Sequence, residues 1–372
     1  MIFIKILHVI NRLSPGGAQR LLIDTVRLMN QKNNIETDIL LLSDEKNIFK
    51  DEIIKTGINV KSIKLQSVYN PLNSLYIRNF IKEGDYDLVH VHLFPSNYWV
   101  SLASKSLLKS KTKFLTTEHS THNKRRDKLY LRHLEKFIYR SYSKVISISD
   151  HTQKNLISWL KPKREDYNKF AVVHNGVDVK KFKVAKPYYK REIINHFTEE
   201  TKLLCMVGSF SPQKDQETLI KAMIQLPREV HLLLIGDGKK KVEQEQLAKN
   251  LKVDERVHFL GVRNDVDRVF KTVDIILVSS NWEGFGLVAA EGMAAGKPVI
   301  ASDVPGLNEV VQDAGLFFNK GDTQELTYNI NNLLNNHKLY HDVLERCSQK
   351  AEMFSIELLV EKYLKEYKSI IS

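Results

Sequence analysis

Cysteine is scarce in this chain of 372 residues. Cys205 and Cys347 are too few for a disulfide framework, so a reducing compartment is expected. Long apolar runs are missing too: no stretch approaches the ~18 residues needed to cross a bilayer. The opening MIFIKILHVINRL places Lys5 where a signal peptide needs its apolar core. A cytoplasmic protein, soluble or peripheral on the inner face of the cell membrane, is expected. Neither G-x-G-x-x-G nor a phosphate loop ending in Gly-Lys-Ser/Thr occurs, which disfavours a nicotinamide enzyme and an ATPase. No short repeat or low-complexity tract interrupts the chain.

What is present suits a packed globule: 42% hydrophobic and 27% charged residues argue against disordered and fibrous classes. At this length two domains are expected, since single cores stop growing near ~250 to 300 residues. The net charge of +12 is uneven. Residues 1–188 hold 33 Lys/Arg against 17 Asp/Glu, and residues 189–372 hold 23 against 27. A basic half suits a phosphate-bearing substrate, an anionic membrane surface or nucleic acid; a solvated lysine-rich surface explains it equally.

Apolar β-branched runs recur through the first half: KILHVI (5–10), TDILLLS (37–43), NVKSIKL (59–65), DLVHVHL (87–93), KFLTTEH (113–119), KVISIS (144–149) and FAVVHN (170–175). Stretches of helical length, such as AQRLLIDTVRLMN, lie between most of them. The alternation restarts after the polar stretch KVAKPYYKREIINHFTEETK, with LLCMVGSF, HLLLIGDG, VHFLGV, DIILVSS and KPVIASD. The reading is α/β, with two Rossmann-like doubly wound domains. The first covers 1–188 and the second 189–354. The tail from 322 reads as helical, ending in an amphipathic segment within 355–372.

Ligands of open parallel sheets bind beyond the carboxyl ends of the strands, so residues just after each run become candidates. Gly16 and Gly17 follow the first run. Free amides at a helix start favour anions, although a plain turn explains a glycine pair as well. After DIILVSS come Glu283, the turn Gly284-Phe285-Gly286, and LVAAEGMAA, a helix that carries Glu291 about two turns in. An anion on the amides of Gly286 and Leu287 would sit between two carboxylates. Carboxylates repel phosphate, so sugar or ribose hydroxyls are their natural partners; a turn acid and a solvated helix acid remain the alternative.

The segment E-G-F-G-L-x-x-x-E-G-M-A-x-G-x-P-V resembles the retaining glycosyltransferases of family four, which have the GT-B fold. The resemblance continues through GGAQRLL, HVH, TTEH, HNGVD, GSFSPQKD, LIGDG and FLGVRNDV, nearly the whole chain. It implies two domains facing a cleft, with the last helix crossing back to the first domain. It implies that Glu291 binds the ribose hydroxyls and that Glu283 lies beside the donor sugar. Amides of Phe285, Gly286, Leu287 and Val288 would hold the diphosphate. Lys214 would pair with the diphosphate, as leaving-group charge also suggests. Ser209 stands where the family usually has arginine, leaving one cation missing; Arg263 or a basic residue of the first domain is the suggested substitute. Arg263 otherwise sits where family members read the base. His119 aligns with a family histidine that approaches the donor sugar and orients the reacting centre.

His90 and His92 point to one face of their strand. With no third ligand at useful spacing, packing or positioning is the better reading than metal. Asp85-Tyr86-Asp87 and Asp265-Val266-Asp267 mimic metal-holding acids. The first precedes its strand and the second lies at a helix start, so no metal and no cofactor are expected. Lys124, Arg125 and Arg126 would face an anionic acceptor or lipid head groups, or form a solvated loop.

The resemblance implies transfer of a sugar from a nucleotide diphosphate donor, UDP being the commonest in the family. The acceptor would be a hydroxyl of a glycan or lipid-linked glycan, with retention of configuration. The alternatives are a sugar-nucleotide-binding protein without activity, raised by Ser209, and a nucleic-acid binder. The second is disfavoured because no nucleic-acid motif appears.

Overall fold

A computed structural model describes residues 3–65, 67–107, 110–121 and 123–371. The chain divides into two compact units, Met1–Asn175 with Ile356–Ser372, and Gly176–Ser355. The boundary expected at 188 is corrected to 175. The polar stretch that suggested the later boundary is bonded into the second unit: Tyr188 N–H donates to Thr272 Oγ1 (2.8 Å) and Lys190 Nζ to Thr201 O (2.6 Å). Its polarity reflects such bonds rather than a linker.

In the first unit, strands β1 (Ile4–Ile10), β2 (Ile35–Leu41), β3 (Asn59–Ser62), β4 (Leu88–His92), β5 (Lys113–Glu118), β6 (Lys144–Ser147) and β7 (Phe170–Val172) form a parallel sheet in the order β3-β2-β1-β4-β5-β6-β7. Side chains alternate faces along a strand, and β1 divides accordingly. Leu7 and Val9 join a cluster with Val89, Val91, Ile77, Ile138 and Tyr142. Ile4 and Ile6 join the opposite one with Leu88, Leu115, Leu21 and Met29. Into this second cluster the last helix, Ile356–Ile371, inserts Ile356, Leu359, Val360, Tyr363 and Tyr367. That spacing is one helical stripe.

The second unit contains β8 (Lys202–Val207), β9 (Val230–Ile235), β10 (Val257–Gly261), β11 (Ile275–Val278), β12 (Val299–Ser302) and β13 (Leu316–Phe318). They are parallel, in the order β10-β9-β8-β11-β12-β13. Twelve of these strands coincide with runs read from the sequence. β13 does not: three residues at a sheet edge are too short to show a period. In each sheet the order reverses beside the first strand, between β1 and β4 and between β8 and β11. These switch points are where open α/β sheets leave a crevice.

Candidate functional site

The two units each carry a group of polar residues at the carboxyl ends of their strands. In the second unit, the loop after β8 and the loop after β11 are laced together across the switch point. Asp215 N–H donates to Ser279 O (3.1 Å) and Asn281 N–H to Gln213 O (2.8 Å), with a backbone bridge between Lys214 and Ser280. Asp215 also caps the helix Gln216–Ala222 through the Thr218 amide.

This lacing brings Lys214 to Glu283. The ammonium donates to Glu283 Oε2 (2.6 Å) and Ser280 Oγ (3.2 Å). Gln213 Nε2 donates to Glu283 Oε1 (3.2 Å), and Ser280 Oγ to Glu283 Oε2 (3.2 Å). The side chains of Lys214 and Glu283 are only 11% and 13% exposed. Such a pair is held together by geometry as much as by charge, because both ions have lost much of their water.

The turn after Glu283 depends on two glycines. Gly286 has φ +90°, and a Cβ there would lie 2.5 Å from Leu307 Cδ2. Gly306 has φ +92°, and its Cβ would lie 2.5 Å from the Glu283 carbonyl oxygen. Any side chain would push the two loops apart. Gly286 caps the helix Leu287–Ala294, whose first internal bond runs from Ala289 N–H to Gly286 O (2.9 Å). The amides of Leu287 and Val288 precede that bond and are not used by the helix itself. The Phe285 side chain is buried against Phe354, ring centroids 5.3 Å apart. Glu291 is half-buried in this helix. Because the helix starts at Leu287, Glu291 is just over one turn in, not two.

Arg263, one of the substitutes suggested for the cation missing at Ser209, is paired with an acid. Ser209 is exposed and its hydroxyl meets that of Ser211 (3.0 Å). Arg263 does not supply a free charge: its Nε donates to Asp265 Oδ1 (2.9 Å), and its Nη2 holds the other oxygen. Asp265 also accepts from Tyr188 Oη (2.6 Å). Those bonds, led by the Arg263 guanidinium, hold the Asp265 carboxyl down at about 2. Asp265 thus sits at the start of the helix Val266–Thr272, as expected, but is an arginine partner rather than a cap.

In the first unit, a cavity of about 400 Å³ opens beyond β1, β4 and β5, lined among others by Asn11, Phe94, Asn97, Glu118, His119 and Arg125. Asn11 bonds Phe94 O (2.6 Å) and so ties the ends of β1 and β4 together. His119 Nε2 lies 3.3 Å from His92 Nδ1. Desolvation pulls the His119 ring down to about 4, partly opposed by Glu118. Gly16 and Gly17 follow β1, where Gly17 begins the helix Gly17–Asn30.

The basic cluster is not the solvent-facing patch expected. Arg126 donates to Glu118 Oε2 (2.6 Å) and, at 3.4 Å, to Glu135 Oε2, and its side chain is 10% exposed. Arg125 lies over the Phe94 ring at 3.5 Å and bonds Glu135 Oε1 (3.3 Å). Two acids explain the inward turn, Glu135 buried and Glu118 with a side chain 10% exposed. Burial alone would raise the Glu118 carboxyl, but Arg126, the Tyr139 hydroxyl and the Ser120 amide outweigh it and hold it below the usual range. Of the two arginines, Arg125 lines the cavity; the Lys124 side chain lies outside the described residues.

His90 and His92 do have a third histidine beside them. β1 pairs with β4 so that His8 stands opposite His90, and ligating atoms of all three lie within 4.8 Å. No spacing rule could reveal this, because His8 comes from another strand. Hydrogen bonds nevertheless occupy most of their nitrogens: His8 Nδ1 meets His92 Nε2 (3.2 Å), and His92 Nδ1 meets His119 Nε2 (3.3 Å). His90 uses both nitrogens, on Tyr367 Oη (2.7 Å) and Thr117 Oγ1 (2.7 Å). A second trio, His196, His231 and His258, includes residues near the amino ends of β9 and β10, away from the carboxyl edge. Asp85 and Asp87 likewise precede β4, where Asp87 accepts from Lys5 N–H (2.8 Å).

Comparison with known proteins agrees with this geometry. Residues 15–181 match the family model described as Glycosyltransferase Family 4, and residues 190–352 the one described as Glycosyl transferases group 1. The chain is 30% identical over 352 residues to the uncharacterized glycosyltransferase MJ1178 of Methanocaldococcus jannaschii, covering 92% of each. It is 28% identical to N-acetyl-alpha-D-glucosaminyl L-malate synthase of Bacillus anthracis, covering 77% of this chain and 75% of that protein. The crystal structure of Anabaena HepE in complex with UDP and glucose superposes with a TM-score of 0.84 at 23% identity, covering 98% of this chain and all of that one. Two doubly wound parallel sheets with their loops at the carboxyl edge, and sequence likeness over most of the chain, place it in one family: the protein belongs to the family-4 type of glycosyltransferases, with the GT-B fold.

Proposed function

We propose that the protein transfers a sugar from a nucleotide diphosphate donor, UDP-linked, to a hydroxyl of a glycan or lipid-linked glycan, retaining the anomeric configuration. The observation that carries this reading is the Lys214–Glu283 pair at the β8/β11 switch point, beside the helix start at Leu287. Similar folds crystallised with UDP, with UDP and glucose, and with UDP-glucose support the donor class.

In this reading Lys214 and the amides of residues 285–288 take up the charge of the departing diphosphate. Glu291 accepts hydrogen bonds from the ribose hydroxyls, and Glu283 holds the donor sugar. His119 orients the sugar through a hydroxyl. The anomeric carbon–phosphate oxygen bond breaks as the acceptor oxygen bonds the same face, and the acceptor proton passes to the leaving phosphate. No metal is assigned, because Asp85 and Asp87 sit at the wrong sheet edge and Asp265 is held by Arg263; activity should survive chelation by EDTA.

The surface we propose for contact with an anionic membrane extends beyond the basic cluster 124–126 to the helix that follows it. The helix Leu131–Tyr139 and the turn before it expose Leu129, Tyr130, Leu134 and Phe137, with Lys128, Arg132, Lys136 and Arg140 close in sequence. No helix among the described residues is long and apolar enough to cross a membrane. Flotation with anionic liposomes at low salt checks this part separately.

The decisive test is a thermal-shift panel of nucleotide sugars followed by transfer assays. A donor at 100 times its Kd should add about 2.7 kcal/mol to stability. Glu283→Gln should abolish transfer. Binding without turnover would favour a non-catalytic sugar-nucleotide-binding protein, the reading that Ser209 and the occupied Arg263 keep open. No binding to any member of the panel would defeat both.

A further inference from the structure

Behind His119 runs a chain of imidazoles: His92 Nδ1 lies 3.3 Å from His119 Nε2, and His92 Nε2 lies 3.2 Å from His8 Nδ1. His8 and His92 are buried, with 0% and 3% exposure. Burial drives both rings toward the neutral form, His8 to about 3.

A neutral imidazole carries one proton, so one nitrogen donates and the other accepts. Two hydrogen bonds in series then permit only two arrangements. Either every proton points from His8 toward His119, or every proton points back. The end of the chain decides between them. His8 Nε2 is buried and has no hydrogen-bond partner. If the protons pointed back, that nitrogen would carry an orphaned N–H; in the forward arrangement it is only an unused lone pair. Orphaned buried donors are the rarer and costlier of the two.

We propose that His8 and His92 are positioning residues that fix the tautomer of His119: His8 Nδ1–H donates to His92 Nε2, His92 Nδ1–H donates to His119 Nε2, and His119 therefore carries its proton on Nδ1. That nitrogen makes no hydrogen bond within the protein among the described residues, and His119 lines the cavity. His119 accordingly offers a donor and not an acceptor to whatever hydroxyl enters. A hydroxyl that accepts from His119 must send its own proton elsewhere, so the relay sets the direction of the hydrogen bonds around the sugar. This deepens the transferase reading and rests on it for the identity of the ligand, but the tautomer itself is a property of the protein alone.

The test is long-range ¹H–¹⁵N spectroscopy of the full-length protein with ¹⁵N-labelled histidine, assigning His119 by comparison with His119→Gln. The expected result is His119 protonated on Nδ1 and His92 likewise. Protonation of His119 on Nε2, or a mixture of both tautomers, overturns the proposal even if the protein proves an active transferase. Should no transferase activity be found, the spectrum still decides the relay. Two variants add a functional readout where activity is present. His92→Phe keeps the ring's bulk but removes the donor, and should lower kcat/KM about three- to tenfold, the worth of one hydrogen bond. His92→Asn can return an N–H to the Nδ1 position and should recover most of that loss. Equal loss in both, with the wild-type spectrum lacking the Nδ1 proton, would leave His92 as packing only.

Discussion

Replacing Lys214 by methionine probes the second unit most sharply, because the structure assigns the side chain two separable tasks. The first is structural. Lys214→Met removes the cation 2.6 Å from Glu283 and leaves a carboxylate 13% exposed, with Gln213 Nε2 and the Ser280 hydroxyl as remaining side-chain donors. Breaking a fully buried pair costs about 3–5 kcal/mol; the surviving donors place this case near ~3 kcal/mol. For a domain of this size that lowers Tm by about 6–12 °C. Adding Glu283→Gln removes the stranded charge, so the double variant should regain about 2 kcal/mol of the loss. Urea unfolding, followed by amide exchange in β8 and β11, measures all four corners of the cycle. The second task is chemical and should not be rescued: kcat/KM of Lys214→Met, alone or with Glu283→Gln, should fall by at least ~10² because the leaving diphosphate loses its cation. A single variant as stable as the wild type, or a double variant whose loss equals the sum of the singles, would refute the view that these two charges depend on each other.

Gly286→Ala forces a side chain into φ +90° and within 2.5 Å of Leu307, and should cost about 2 kcal/mol in a urea melt while weakening donor binding. His8 is neutral in the folded chain down to about pH 3 but takes up a proton near 6.5 when unfolded. The unfolded state therefore binds the extra proton across that window, and stability should fall as pH drops below 6.5, by about 1.4 kcal/mol per pH unit from this group; His8→Phe should flatten the slope measured by denaturant titration. Deleting residues 356–372 strips five buried side chains from the first unit's core. At about 1.5–3 kcal/mol each, their loss should unfold or aggregate that unit, as near-ultraviolet circular dichroism and light scattering would register.

How much of this was legible beforehand depends on the range of the interaction. β11, the glycine turn and the helix carrying Glu291 lie within one continuous segment, where strand period, turn chemistry and helix spacing are all local. That is why Glu283, Gly286 and Glu291 were candidates from composition and order alone. Lys214 follows β8 and was singled out by the family resemblance, but its pairing with Glu283 requires β8 and β11 to be neighbours in the sheet. The single residues 209 and 263 show the limit: a basic residue in the right loop looks available until Asp265 and Tyr188 are seen around it. The orientation of Arg125 and Arg126 was hidden in the same way, since Glu118 on β5 and Glu135 on the following helix draw both guanidinium groups toward them.

The amino-acid sequence by itself determined the α/β alternation, nearly every strand and the residues at their carboxyl ends, because these follow from side-chain periodicity over a few positions. Only the tertiary structure decided which charges are paired, where the first unit ends and that His8 stands behind His92. Those outcomes depend on sheet order and on residues up to 277 positions apart, as for His90 and Tyr367, and no local pattern encodes contacts made when strands and helices pack.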